Sequence, residues 1–175
     1  WKAAGRQPMK SRRSSRRTAP VSPPAQLPVY NEWRGIAPGE STVEEVSSLL
    51  GTPESSTTDG LTTTMMYPSN NQYWKHEVAA TGQTVVFIRE RIFPPAQTSL
   101  AALTSEYSEP RTMLYGPDSQ SGINLYVFPQ SGVAFIGSED TDTTYEIWRF
   151  PQMDLSSFLT TPQAREYSTN PRAHD

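Results

Sequence analysis

The sequence predicts an α+β fold, one antiparallel sheet with helices on one face, and three observations lead there. Two short stretches carry an apolar stripe at helical spacing, Val43, Val46, Leu50 and Leu100, Leu103, Tyr107. Six runs rich in β-branched and aromatic residues follow them in two groups of three. Sliding the chain by 57 positions lays 36–53 over 93–110, so that Pro38 meets Pro95, Ser41 meets Thr98 and Pro53 meets Pro110. The expected architecture is two tandem helix-plus-three-strand repeats, 33–92 and 93–162, sharing one sheet.

From the N-terminus, residues 1–32 read as an arm. Lys2, Arg6, Lys10, Arg12, Arg13, Arg16 and Arg17 give the first twenty residues a charge of +7 with no acid. The remaining eight basic residues face 18 acidic ones, so the body carries −10. Pro20, Pro23, Pro24 and Pro28 then favour an extended, semi-rigid spacer. The first helix is expected to start at Ser41 with Glu44 completing a capping box, and to stop at Gly51 and Pro53. Strands are expected over 61–68, 71–79 and 84–93, and again over 123–129, 132–137 and 144–151, with proline closing several of them. Asp154 caps a shorter closing helix over 154–162, and 163–175 reads as an unpacked tail.

The cap, stripe and stop carried by Ile36, Pro38, Gly39, Ser41, Val46, Leu50, Gly51 and Pro53 resemble the small extracytoplasmic domains of the outer-membrane-assembly lipoprotein family. The tandem arrangement resembles the β-lactamase-inhibitor-protein fold, which pairs two such units. The resemblance covers about residues 33–162; the second copy departs from it, with Ala96 in place of Gly39 and Ser108 in place of Gly51. It implies a secreted or membrane-anchored protein that binds other proteins and does no catalysis. β-Lactamase inhibition itself is not implied, because no inhibitor motif is matched residue by residue.

Composition narrows the chemistry. The chain has no cysteine, so thiol catalysis, disulfides and thiolate metal sites are excluded. Its histidines are His76 and His174; His76 reads as a strand-surface residue, with no nucleophile elbow to make it part of a triad. Glu139, Asp140 and Asp142 read as a solvated hairpin turn, lacking the further carboxylates and the turn glycine of a calcium loop. No metal ligand set, cofactor or catalytic residue is predicted.

Aromatic and arginine side chains carry the functional signal. Alternation in the third strand puts Phe87, Arg89 and Arg91 on the face away from the helices, and Tyr73, Tyr126, Phe128 and Trp148 are expected to share that open face. Exposed aromatics with arginine are the residues that anchor protein interfaces. The expectation is a non-enzymatic, extracytoplasmic or membrane-associated module that docks a protein partner on this face. The alternative is an accessory subunit of a membrane complex, and a hydrolase ranks last. Lys10, Arg12, Arg13, Arg16 and Arg17 are expected to hold the protein near an anionic membrane surface, while the acidic body disfavours nucleic acid.

Overall fold

The computed structural model describes residues 31–171, so the basic arm and its five candidate membrane contacts lie outside the described residues. The order is α1 (Val43–Leu50), β1 (Ser55–Asp59), β2 (Thr62–Asn71), β3 (Trp74–Thr81), β4 (Thr84–Arg91), α2 (Leu100–Thr104), β5 (Thr112–Leu114), β6 (Ile123–Phe128), β7 (Val133–Ser138), β8 (Thr143–Arg149) and α3 (Leu155–Leu159). All eight strands form one antiparallel sheet in the order β1-β2-β3-β4-β8-β7-β6-β5. Each half therefore contributes four strands, not three. The additional ones are the edges, and neither reads as a strand from sequence. β1 is "SSTTD", exposed throughout, and β5 has three residues.

Asp154 caps α3 and Gly51 ends α1 as expected, but α1 starts one residue later than expected. Thr42, not Ser41, is the N-cap of α1: its hydroxyl accepts from the Glu45 amide at 3.2 Å and its own amide donates to the Glu45 carboxylate at 2.7 Å. Ser41 is buried, and its Oγ accepts from the Ala37 amide. Ser99 caps α2 by accepting from the Ala102 amide at 3.0 Å, and Asp142 from the β7–β8 turn accepts from the Ala101 amide at 2.8 Å. The acidic turn thus holds a helix start, and those hydrogen bonds keep the Asp142 carboxyl below its usual pKa.

α1 and α2 lie on one face of the sheet. Val46 is fully buried on Met65, Tyr67, Val78, Val85 and Ile88, and Leu100 packs with Tyr126, Phe128, Val133 and Phe135. Helices this short draw their stability from such docking and not from propensity.

α3 lies on the opposite face, which corrects the expectation of helices on one side only. Phe158 packs on Phe150 at 4.7 Å, within a cluster that includes Leu114, Leu125, Val127 and Trp148. The segment beyond is packed as well. Pro162–Ala164 forms a turn with Ala164 buried, and Tyr115 and Ser168 bridge backbone to backbone at 2.8 and 3.0 Å. A Cβ at Gly116 would run into the Tyr167 ring, so glycine is required for this strap to lie down.

The two halves of this second face differ because their residues differ. The buried cluster under the strap holds Leu114, Leu125, Val127, Ala134 and Trp148 and reaches Ala79 and Phe87 on β3 and β4, whereas the rest of this surface of β1–β4 carries Thr57, Thr64, Met66, Glu77 and Arg89. Only the apolar half demands a cover.

Candidate functional site

The uncovered half of the second face meets the strap along β3, β4 and β8, and a charged ladder runs across this junction. Cross-strand pairing places Glu77 opposite Arg89, Arg89 opposite Trp148, and Arg91 opposite Glu146. Arg89 Nη1 lies 3.2 Å from Glu77, and its Nε lies 3.5 Å from Glu146, an ion pair without hydrogen-bond geometry. Arg91 donates to the other oxygen of Glu146, and Trp148 Nε1 donates to Glu146 Oε2 at 2.7 Å. One buried carboxylate thereby orders two guanidinium groups and an indole.

Aromatic rings support and flank the ladder. The Arg89 guanidinium lies over Phe87 and Trp148, at 5.6 and 5.2 Å from their centroids. Arg91 lies over Trp74 at 4.6 Å. On one side, the β2–β3 hairpin exposes Tyr73 by 80% and Trp74 by 51%. On the other, Tyr167 stands edge-on to Trp148 at 5.6 Å. Burial, with the Glu146 carboxylate nearby, pushes the Tyr167 hydroxyl up to about 12. Between strap and ladder lies a cavity of about 360 Å³.

The expected site residues divide between two faces. Arg89 and Arg91 form the ladder, and Tyr73 lies in the β2–β3 turn with an exposed ring. Phe87 and Trp148 lie on the same face but are each only 2% exposed, so they are floor and not contact surface. Tyr126 and Phe128 are on the opposite face beneath α2, where Tyr107 stacks on Phe128 at 4.6 Å. The correction follows from alternation: Trp148 pairs with Ala134, whose neighbour Phe135 pairs with Tyr126 and so points the other way.

His76 is also corrected. It is 5% exposed, its ring meets Trp33 edge-on at 5.1 Å, and its Nδ1 accepts from the Arg91 amide at 3.1 Å. Burial, then the charge of Arg34, holds its pKa below 6.5. Glu139 pairs with Arg111 at 2.5 Å.

Sequence reasoning missed Trp74, Glu77, Glu146 and Tyr167. Trp74 adjoins Tyr73 in a turn-flanked run, and Glu146 sits two residues before Trp148, so alternation puts both on one face. Glu77 and Tyr167 join only through pairing with another strand and the fold-back of the strap. Among the described residues, no three His, Asp or Glu side chains gather to hold a metal ion, and no helix is long and apolar enough to cross a membrane. Comparison with protein-family models, with curated proteins and with solved structures found no match.

Proposed function

We infer that the chain is a non-enzymatic module that docks a protein partner on the uncovered half of the sheet, over Arg89, Arg91, Trp74 and Tyr73. One observation carries this reading. Half-exposed Trp74 lies against the Arg91 guanidinium at 4.6 Å, the exposed Tyr73 precedes it in the chain, and Arg89 and Arg91 are already oriented by Glu77 and Glu146. Arginine, tryptophan and tyrosine dominate binding hot spots, and fixing their rotamers beforehand lowers the ordering cost of association. The basic residues of the arm, Lys10 to Arg17, fit a tether to an anionic membrane surface.

The tandem-repeat reading belongs with this proposal and has its own support. The helices begin at Val43 and Leu100, the first strands at Ser55 and Thr112, and the third strands shift register at Ala79/Ala80 and Ile136/Gly137, each pair 57 positions apart. A four-residue turn over 139–142 replaces the two-residue turn over 82–83, which moves the last strands to an offset of 59. At that offset the Val85 amide donating to the Ser41 carbonyl corresponds to the Thr144 amide donating to the Thr98 carbonyl. A strand-by-strand coincidence of caps, bulges and hydrogen bonds supports duplication of an ancestral helix–sheet unit.

The docking reading is tested by replacing Tyr73 and Trp74 together with alanine. Both rings are exposed, so the melting temperature is expected to hold. Affinity for a partner isolated from the source organism should fall by about 30-fold or more, the effect of losing a hot spot of about 2 kcal/mol. Unchanged affinity at unchanged stability sinks the reading.

A further inference from the structure

The two edges of the sheet are finished differently. β5 has three residues, and beside it Tyr115 and Ser168 exchange backbone hydrogen bonds that tie the strap to this edge. β1 has five residues, exposed throughout, and among the described residues it pairs with β2 alone. Sheets blunt such an edge with proline, lysine, a bulge or a cover. "SSTTD" holds neither proline nor lysine, and its pairing with β2 runs from Ser55 to Asp59 without a shift.

The direction of each peptide along β1 follows from its neighbours. The Leu61 carbonyl accepts from the Gly82 amide, so Leu61, Thr63 and Met65 turn toward β3, and Thr62, Thr64 and Met66 turn toward β1. Opposite them, Ser55, Thr57 and Asp59 direct their N–H and C=O at β2, which leaves those of Ser56 and Thr58 pointing outward. Ser56 and Thr58 flank Thr57 evenly, so this outward pattern is its own complement. A two-fold axis through Thr57 sets Ser56 opposite Thr58 of another copy, and Thr58 opposite Ser56, with both bonds exchanged in each pair.

We propose that β1 pairs antiparallel with β1 of a second copy of this chain, joining two eight-stranded sheets into one. The side chains fit this occupant. Thr57 meets Thr57, a cross-strand pair that favours association. The strand's one charged residue, Asp59, meets Ser55, and Glu54 beyond it is already paired with Lys75 at 2.7 Å. The same register brings Leu61, 78% exposed at the β1–β2 turn, to the Pro53 end of the other copy, so an exposed apolar side chain gains an apolar neighbour. The axis stands perpendicular to the sheet, so the uncovered halves of both copies adjoin on one side. A five-residue edge buries little area, and the dimer is accordingly weak, populated at about 0.1–1 mM protein.

The test is sedimentation velocity on the full chain from about 10 µM to about 1 mM. The sedimentation coefficient is expected to rise toward that of a dimer and no further. Thr57→Lys sets like charges directly opposite each other across the axis and should stay monomeric, with its melting temperature within about 3 °C of the parent's because the position is exposed. Thr57→Glu should behave the same way, and an equimolar mixture of the two variants should dimerise at least as tightly as the parent. Thr58→Pro, which removes an outward N–H that β2 does not use, should weaken the dimer at least about tenfold. A parent that stays monomeric at about 1 mM would leave the edge to a strand of some other protein and overturn the proposal. Thr57→Lys or Thr58→Pro dimerising like the parent, a mixture that stays monomeric, or oligomers that grow past the dimer would also overturn it. None of these measurements involves Tyr73 or Trp74, so the docking reading stands or falls separately.

Discussion

Replacing Phe158 with alanine separates a face that is covered from one that is open. Phe158 is the sole fully buried residue of α3; it is 1% exposed and its ring lies 4.7 Å from Phe150. Removing a buried phenylalanine from a packed cluster costs about 3–5 kcal/mol, combining lost transfer energy with the cavity left behind. Against a typical domain stability of about 5–15 kcal/mol, that is roughly a fifth of the total or more. The ring shares its cluster with Val127 and Trp148, on two different strands, so the loss should be felt by the whole sheet and not by α3 alone. Urea unfolding followed by far-UV circular dichroism is the assay: the midpoint should fall with the slope unchanged. Gln152→Ala, at an exposed position before α3, should shift stability by less than about 0.5 kcal/mol. A Phe158→Ala protein within about 1 kcal/mol of the parent would show that the strap contributes little, and that the second face of β5–β8 tolerates exposure.

Two further perturbations probe the other face. Burial lowers the His76 pKa in the folded protein below its ordinary value of 6.5, so around and below that pH the unfolded chain binds more protons. The His76 contribution should be full above about pH 6.5 and fall as the pH drops below it; His76→Val should flatten this slope, and an identical pH profile of urea midpoints for both proteins would refute the assignment. Val46→Asp places a carboxylate at a position with no exposure and should abolish the cooperative transition, while Leu49→Asp, 55% exposed on the same helix, should keep it; a cooperative Val46→Asp protein would mean that α1 is not docked.

The strands and helices were legible in the sequence wherever a face is buried, because burial imposes a period. Val43, Val46 and Leu50 announce α1, and Val86 and Ile88 alternating with Phe87 and Arg89 announce β4. β1 was illegible for the complementary reason. Its residues bury nothing, so nothing constrains their type, and it exists only as the hydrogen-bonded partner of β2. The caps show the limit of short-range signals: Ser41-x-x-Glu44 and Thr42-x-x-Glu45 are equally good boxes on paper. The choice falls to Thr42 because Ser41 is drawn inward, its carbonyl accepting from the Val85 amide.

The candidate site was half legible for a related reason. Alternation within β4 correctly put Arg89 and Arg91 together on the face away from α1, since that rule needs only one strand. Relating one strand to another needs register, and register here depends on two bulges and on a turn that is two residues longer in the second half. That is why Tyr126 and Phe128 were placed with Trp148 although they face the other way. The same information was missing for the strap. Nothing in "QAREYSTNP" signals packing, yet Leu125, Val127 and Trp148 together form an apolar surface that water disfavours, and residues 150–168 are the chain at hand to cover it. Covering that half leaves the Thr-, Glu- and Arg-bearing half as the part of the face with polar groups to offer. The cavity forms where the two meet. The position of the candidate site is thus a consequence of unequal hydrophobicity between two halves of one sheet, and Trp148, buried under the strap while its indole N–H holds Glu146, joins the covered part to the open one.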